Sequence, residues 1–306
     1  MIQLFSNACL YENDETILYG QYLIPFRSIL TNSSYKIVYC VDRNDFFLKI
    51  KGKINNITIT FVYKDTSVHI NESLSFPFEY GLNLNNKSAI ISTLCKDYSH
   101  RLDEWIQYNL KLGFSGIVIF NNDGNQSTIL NESTHNCVKT GTTEEICKKY
   151  KGKVIVVNFP YRPFKGQHWN NIQRISLHIG VNAFRTKCRN IALIDADEFI
   201  YLPIQIETFL NNHGTICMQS NILTNKNNND LLNNNILELA KYVGIDKYTK
   251  IILDTSVIKE NEFIVTPHNH RTEKKLSKNE IIHYHCWMNN RYPYHESMQM
   301  IKVKLF

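Results

Sequence analysis

Apolar and polar positions follow two different patterns along the chain, and the change falls near residue 88. Before it, short runs of β-branched and aromatic residues separated by polar turns predict strands at 35–41, 46–50 and 57–63. We therefore expect a small antiparallel β region over residues 1–85, and residues 83–87 would link it to the rest of the chain.

From residue 88 onwards the pattern predicts alternating strands and helices. Apolar runs at 89–94, 116–120, 153–159 and 190–194 predict buried strands. The segments between them predict helices over about 102–112, 143–150 and 168–183, the first ending at Gly113. Further on, a helix at 236–243 and strands at 251–253 and 281–285 follow an Asn-rich loop at 225–235. The predicted fold of residues 86–306 is therefore α/β, a mostly parallel sheet with flanking helices.

Carboxylates directly follow the apolar run at 190–194. Asp195, Asp197 and Glu198 stand where this strand leaves the sheet, and in open α/β sheets ligands gather at the carboxyl ends of strands. Crowded acids repel one another unless a cation or a hydrogen-bond network relieves them. One interpretation is a hard divalent ion that holds a phosphate. The other is an acidic turn in which Asp197 or Glu198 caps a helix.

Two earlier strand ends are polar as well. Residues 93–101 follow the first strand of this region, and residues 121–123 follow the second. In a parallel sheet these ends share one edge with Asp195, which predicts a cleft. The alternatives are a tight turn at 121–124 and a solvated loop that contains Lys96 and Arg101.

Histidines alternate in the last part of the chain. His268 with His270, and His283 with His285, are two residues apart, and on a strand this spacing places both side chains on one face. One of them could complete a metal site begun by Asp195 and Asp197, or all could be ordinary surface or core histidines. No His-Glu-x-x-His run is present, which argues against a zinc hydrolase.

Composition and charge exclude some classes of protein. The net charge of +6 is not arranged as a Lys/Arg block with interleaved aromatics, which argues against nucleic acid as a partner. The cysteines form no Cys-x-x-Cys pair, which argues against a structural zinc site. No run reaches the roughly 18 apolar residues of a transmembrane helix, and the first residues are too short for a signal peptide. We expect a soluble chain without a membrane anchor; the compartment stays open, and a cytoplasmic or a viral setting would suit it.

Several of these segments resemble glycosyltransferase family 92. Residues 102–108, 112–114 and 117–122 are similar to its Glu-Trp-Ile-x-Tyr-His, Leu-Gly-Val and Tyr-Asp-Asn motifs, and Asp-Ala-Asp-Glu-Phe at 195–199 follows in the family's order. Lys250, His268 and His283-Tyr284 are similar to later positions of the family. The resemblance covers residues 88 to 290 and implies a GT-A fold, a nucleotide-sugar donor (UDP-galactose in characterised members), Mn²⁺ and inversion at the anomeric carbon.

The chain also departs from the family. Asn109 stands where a His is common, an Asn-rich segment at 221–235 replaces a Gly-containing acceptor region, and the expected amino-terminal membrane anchor is missing. These departures bear on the acceptor and on the donor sugar.

Together, the residues and the resemblance predict a metal-dependent glycosyltransferase. It would move a sugar from a UDP-sugar to a hydroxyl of a glycan or glycoprotein acceptor. Asp195 and Asp197 would hold Mn²⁺ or Mg²⁺, with His283 (or His268) as a further ligand. The residues expected to bind the nucleotide sugar are Thr93, Lys96, Arg101, Asn122, Asp123 and Gln167, of which Gln167 could instead touch the acceptor.

Two points remain open at the level of sequence. The base that takes the acceptor proton could be Glu198, Asp254, Glu262 or Glu280. Two other functions also fit: a metal-dependent phosphodiesterase or nuclease that uses the same acids and histidines, and a catalytically silent glycan-binding protein.

Overall fold

The structure is a computed structural model. It describes residues 1–306 except for 24–25, 27, 32–33, 41–42, 80, 97, 124–141, 225–241, 261, 265, 272, 277–279, 287–298 and 301–306.

Strands dominate the structure, with 42% of the described residues in strands and 19% in helices. The strands of the amino-terminal part are β1 (Ile2–Leu4), β2 (Leu10–Glu12), β3 (Glu15–Tyr22), β4 (Ser28–Thr31), β5 (Tyr35–Tyr39), β6 (Asp45–Lys51), β7 (Asn56–Tyr63) and β8 (Thr66–Ser73). Those that follow are β9 (Ala89–Cys95), β10 (Gly116–Asn121), β11 (Val154–Asn158), β12 (Asn190–Leu193), β13 (Glu198–Tyr201), β14 (Ile216–Thr224), β15 (Tyr242–Asp254), β16 (Lys274–Lys275), β17 (Ile282–His285) and β18 (Gln299–Met300). The α-helices are α1 (Ser99–Leu112), α2 (Thr143–Lys148), α3 (Asn170–Phe184) and α4 (Ile206–Leu210), and short 3₁₀ helices cover Ser6–Ala8 and Thr255–Val257.

The amino-terminal strands form two small sheets. One has the order β1-β3-β6-β5 with β2 added to β3, and the other has the order β4-β7-β8; every pairing between these strands is antiparallel. Leu18, Phe46 and Leu48 of the first sheet are buried in one cluster with Ile59 and Phe61 of the second. The antiparallel β region predicted from the sequence is therefore present, and it has a core of its own.

The first small sheet also packs against the rest of the protein. Side chains alternate along a strand, so Tyr19 and Phe47 point away from the cluster that holds Leu18 and Phe46. The Tyr19 ring lies 5.2 Å from the imidazole of His178 on α3, between ring centroids. The amino-terminal region thus forms a layer on α3.

A larger mixed sheet follows, with the order β11-β10-β9-β12-β15-β14-β17-β13. β11, β10, β9 and β12 are parallel to one another, so the carboxyl ends of β9, β10 and β12 lie at one edge. Beyond β12 the direction changes, because β15 is antiparallel to both β12 and β14, and β13 is antiparallel to β17. The sheet curls into a half-barrel.

The prediction of a GT-A-type, mostly parallel sheet with flanking helices is therefore wrong. Antiparallel pairing makes up the amino-terminal sheets and much of the larger sheet, and strands outnumber helices as elements of the fold. An apolar run such as Ile251-Ile252-Leu253 shows that a strand is buried but carries no information on its direction. The pattern also missed strands with polar faces: β8 is exposed or half-buried along its whole length.

Helices cover both faces of the parallel part of the larger sheet. On one face, Leu102 and Trp105 of α1 pack in a cluster with Ile91 of β9; on the other, Ile175 of α3 packs with Ile90. α1 ends as predicted at Gly113, whose φ of 104° is left-handed and therefore suits a glycine.

Some predicted elements lie partly outside the described residues. The helix predicted at 236–243 is contradicted at its end, because Tyr242 and Val243 begin β15. Residues 236–241 and the Asn-rich loop at 225–235 lie outside the described residues.

Candidate active site

A cluster of charged side chains lies directly after β12. We call it the acidic cluster: Asp195, Asp197, Glu198 and Asp246, with Lys250, His283 and His285 among them. Three strands assemble it. β13 contributes Glu198, β15 contributes Asp246 and Lys250, and β17 contributes the two histidines. The long strand β15 and strand β17, whose direction the sequence did not reveal, thus bring cationic groups to the acids that follow β12.

Lys250 is the counter-charge of two of the acids. Its side chain is only 3% exposed, and its Nζ lies 2.6 Å from Asp195 Oδ2 and 3.1 Å from Glu198 Oε2. Burial alone would lower the pKa of Lys250, but the two carboxylates raise it above its ordinary value. Lys250 is therefore a buried ammonium ion, held between Asp195 and Glu198.

The two acids differ in character. Burial raises the pKa of Asp195, partly against the attraction of Lys250. Burial would also raise the pKa of Glu198, but Lys250 and His283 hold it well below the ordinary value. Glu198 Oε2 also accepts the backbone N–H of Asp195 at 2.7 Å. Glu198 is thus a fixed, ionised group with only 1% of its side chain exposed, whereas 30% of the Asp195 side chain is exposed.

His285 faces the second aspartate. Its Nε2 lies 3.5 Å from Asp197 Oδ2, and its Nδ1 lies 3.4 Å from Asp246 Oδ2 and 3.8 Å from Glu198 Oε1. Burial would lower the pKa of His285, but Asp197 and Asp246 raise it to about 10. The surroundings of His285 therefore favour positive charge strongly.

His283 contacts a different acid. Its Nε2 lies 3.5 Å from Glu198 Oε2, and its ring is completely buried. The two histidines have different neighbours because of the strand register. β17 pairs His285 with Glu198, whereas it pairs His283 with Ile200, two residues further along β13 from Asp197. That His283 binds a metal stays a prediction. The imidazole that lies next to Asp197 in the structure is that of His285.

The chemistry of these groups fits a divalent cation at Asp197 and His285. A carboxylate oxygen and an imidazole nitrogen face each other there, and the Asp197 side chain is 26% exposed. A metal ion would have to displace the proton that the neighbouring acids favour on His285. Among the described residues, no group of three or more His, Cys, Asp or Glu side chains is arranged to hold a metal ion. Such an ion would therefore need phosphate or water for its other ligands, which is usual for Mg²⁺ in phosphate sites.

Asp195 is less available to a cation than the sequence suggested. Its Oδ2 is bound to Lys250, and its Oδ1 accepts a hydrogen bond of 2.5 Å from Gln173 Nε2 of α3. Sequence reasoning missed Gln173 and Asp246 completely, because neither belongs to a motif.

Helix α1 positions β13 through two aromatic side chains of the segment 102–108. Trp105 Nε1 donates a hydrogen bond of 2.8 Å to the Glu198 carbonyl, and the Tyr108 hydroxyl donates one of 2.7 Å to the Ile200 carbonyl. Both side chains are buried. The helix therefore fixes the backbone of the strand that carries Glu198.

The residues after β9 that the sequence predicts to bind the nucleotide sugar differ in burial and in their neighbours. Thr93 is fully buried, and its Oγ1 has no hydrogen bond among the described residues. The Lys96 ammonium lies 3.8 Å from the centre of the Trp169 ring. Arg101 is 8% exposed, with Nη1 3.6 Å from Glu104 Oε2. Two cations thus follow β9, at the same edge of the sheet as the acidic cluster.

The residues after β10 are engaged in local structure. Asn122 Nδ2 donates to the carbonyls of Phe159 and Tyr161, at 2.5 and 2.8 Å. Asp123 accepts a hydrogen bond of 2.6 Å from Thr143 Oγ1 at the start of α2. Gln167 lies elsewhere, beside a cavity between α3 and the amino-terminal sheet.

The candidates for the catalytic base are also spread out. Asp254 pairs with Asn190 at the start of β12, which is the opposite edge of the sheet from Asp195. Glu262 lies 3.2 Å from Arg271 Nη2, and Glu280 is exposed. With Glu198 tied to Lys250, no candidate is favoured, and the base stays unassigned.

Comparisons with known proteins leave the family open. Neither a scan against protein-family models nor a search of curated proteins gave a match to this chain. Within the described residues, no helix has both the length and the apolar character needed to cross a membrane.

Proposed function

We propose that this chain is a metal-dependent glycosyltransferase that moves a sugar from a UDP-sugar to a hydroxyl group of a glycan or glycoconjugate. One observation carries the proposal: partly exposed carboxylates follow β12 at the sheet edge where β9 and β10 also end, and an imidazole lies beside them. This arrangement suits a nucleoside diphosphate, whose charge needs cations and whose metal needs carboxylate oxygen.

Asp197 and His285 would hold Mn²⁺ or Mg²⁺, and the ion would neutralise charge on the leaving diphosphate. Lys250 lies between Asp195 and Glu198 and compensates their charge. Lys96 and Arg101 place positive charge near the same edge, where a diphosphate would gain from it.

The proposed reaction forms one bond and breaks one. The oxygen of the acceptor hydroxyl bonds to the anomeric carbon while the bond from that carbon to the diphosphate oxygen breaks, and the electron pair of this bond leaves with UDP. The hydroxyl proton passes to a base. Attack from the side opposite to the diphosphate would invert the anomeric carbon.

The test is release of UDP from a panel of UDP-sugars in the presence of Mn²⁺, with and without glycan acceptors. We expect release by the wild type and a loss larger than 10- to 100-fold, roughly the range for second-sphere residues of metal sites, in Asp197→Asn. Asp65→Asn, which changes an exposed carboxylate in the turn between β7 and β8, is the matched control. Absence of both binding and release with every nucleotide sugar would refute the transferase, and cleavage of phosphodiesters without sugar transfer would favour a hydrolase.

A further inference from the structure

Strand β15 is irregular next to the acidic cluster. Its pairing with β14 shifts there, so that residues 246–248 stand opposite a single residue, Ser220. Such an insertion forms a β-bulge, which re-aims side chains and is frequent beside active sites. Simple alternation would place Asp246, Tyr248 and Lys250 on one face of the strand. Asp246 and Lys250 are buried, whereas Tyr248 is 43% exposed. The bulge therefore turns Tyr248 away from the face that carries Asp246 and Lys250.

Hydrogen bonds hold the bulge in place. Gln219 Nε2 donates to the carbonyls of Asp246 and Tyr248, at 2.6 and 2.9 Å. The backbone N–H of Tyr248 donates to Asp246 Oδ1 at 3.3 Å. These contacts replace ladder hydrogen bonds that the shifted pairing interrupts, and they fix the backbone and one carboxylate oxygen of Asp246. Asp246 is thus a buried carboxylate, 2% exposed, with a defined orientation.

The second oxygen of Asp246 faces His285. Asp246 Oδ2 lies within hydrogen-bond distance of His285 Nδ1, at 3.4 Å. Glu198 Oε1 also lies near this nitrogen, but at 3.8 Å it is too far for a hydrogen bond. An ionised carboxylate can only accept a hydrogen bond. The contact with Asp246 therefore requires that His285 Nδ1 carries a hydrogen and donates it.

The opposite nitrogen of the same ring faces Asp197. His285 Nε2 lies 3.5 Å from Asp197 Oδ2, and this is the pair to which the proposed function assigns a divalent cation. An imidazole binds a metal through a nitrogen that carries no hydrogen. A carboxylate that accepts the hydrogen of the other nitrogen fixes the orientation of the ring and makes it a stronger ligand. Asp246 stands where this carboxylate is needed.

We propose that Asp246 is a positioning residue, which accepts the Nδ1 hydrogen of His285 and so directs Nε2 towards a divalent cation at Asp197. The cation rests on the proposed function, whereas the orientation of the ring does not. When the cation binds, a bond from it to Nε2 forms and the Nε2–H bond breaks. The proton passes to water, the hydrogen on Nδ1 stays in place, and no group is oxidised or reduced.

The test is the affinity of the full chain for Mn²⁺ in the presence of inorganic diphosphate, measured by electron paramagnetic resonance of the unbound ion. Diphosphate supplies the remaining ligands and carries neither sugar nor base, so the test needs no nucleotide sugar. We expect Asp246→Asn to weaken Mn²⁺ binding about 100-fold, the upper end of the range for second-sphere residues. The N–H of Tyr248 requires the amide oxygen, so the amide nitrogen would donate to Nδ1 and the ring hydrogen would move to Nε2.

Asp246→Ala separates positioning from a purely structural role. It removes the acceptor and adds no donor, so we expect a smaller loss of Mn²⁺ affinity, about 10-fold. A structural role would give the reverse order, because Ala changes the packed volume more than Asn does. If only one of the two variants folds, its affinity relative to the control carries the test. The control is Asp65→Asn, at an exposed carboxylate in the turn between β7 and β8.

Pulsed electron paramagnetic resonance gives a second readout, the coupling of an imidazole nitrogen to bound Mn²⁺. It should be present in the wild type and absent in His285→Gln. Three results would overturn the positioning role: Mn²⁺ affinity unchanged in both Asp246 variants, a larger loss in Asp246→Ala than in Asp246→Asn, or no coupled imidazole nitrogen in the wild type.

The outcome is separable from that of the proposed function. The expected order of Mn²⁺ affinities, without release of UDP from any nucleotide sugar, would refute the transferase alone. Release of UDP by the wild type, with Mn²⁺ affinity unchanged in both Asp246 variants, would refute the positioning role alone.

Discussion

At the scale of single residues, the candidate active site depends on Lys250. The sequence singled out Asp195, Asp197 and Glu198 as acids in need of a cation, and the structure supplies a buried ammonium ion for two of them. The position of Lys250 relative to the acids could not be predicted, because it depends on the pairing of β15 with β12, a contact between segments far apart in the sequence.

Replacing Lys250 by Met should destabilise the protein strongly. The variant leaves Asp195 and Glu198 close together and without their cation, and breaking a buried ion pair typically costs about 3 to 5 kcal/mol. The free energy of unfolding, measured by denaturant titration at pH 7, checks this. Lys247→Met, at an exposed position of the same strand, is the control. A loss no larger in Lys250→Met than in this control would contradict the role assigned to the ammonium group.

His178 of α3 should make stability depend on pH. Burial, with a smaller contribution from Arg174, lowers its pKa to about 3 from the ordinary 6.5. The folded protein therefore holds His178 neutral, whereas the unfolded chain binds a proton below pH 6.5, so stability falls as the pH falls from 6.5 towards 3. At pH 5 the loss should be about 2 kcal/mol relative to pH 7.

The measurement is the free energy of unfolding at pH 7 and pH 5 in the wild type and in His178→Gln. The substitution should remove most of the contribution of His178 to the pH dependence. His69→Gln, at an exposed histidine of β8, is the matched control. An unchanged dependence on pH in His178→Gln would show that His178 is not responsible for it.

At the scale of elements, α1 acts as the support of β13. The periodicity of Leu102, Trp105 and Ile106 predicted this helix, and Gly113 predicted its end; both predictions are confirmed. What the sequence could not show is that Trp105 and Tyr108 bind the backbone of β13, because those carbonyls lie about 90 residues downstream.

Tyr108→Phe should therefore weaken the hold of α1 on β13. It keeps the buried ring and leaves the Ile200 carbonyl without its donor, which should cost about 1 to 3 kcal/mol. Thermal and denaturant unfolding measure the loss. Tyr11→Phe removes an exposed hydroxyl bonded to Asp14 and is the control; equal effects in both variants would argue against the support.

Register explains why the histidines were only partly predicted. The spacing of His283 and His285 places both on one face of a strand, and that much follows from sequence. The pairing of β17 with β13 decides which histidine lies beside Asp197, and in this pairing His285 stands opposite Glu198. A shift of two residues would place His283 opposite Glu198 instead, and no local pattern fixes the register.

At the scale of the whole molecule, the amino-terminal sheets do more than precede the candidate site. The first sheet packs on α3 through Tyr19 and Phe47, and its next inward residue, Gln21, reaches the start of that helix. α3 in turn reaches Asp195 through Gln173. The three strands predicted in this region correspond to β5, β6 and β7, but its contact with α3 depends on long-range packing that the alternation of residues does not encode.

The central claim is a metal-dependent nucleotide site at Asp197 and His285. Its most direct test is calorimetric titration of UDP into the full chain, with Mn²⁺ and with EDTA, in the wild type, His285→Gln and the control His69→Gln. We expect UDP to bind the wild type and the control only when Mn²⁺ is present, and His285→Gln to bind it at least roughly tenfold more weakly. UDP binding of equal strength in EDTA, or no binding under either condition, would contradict the claim.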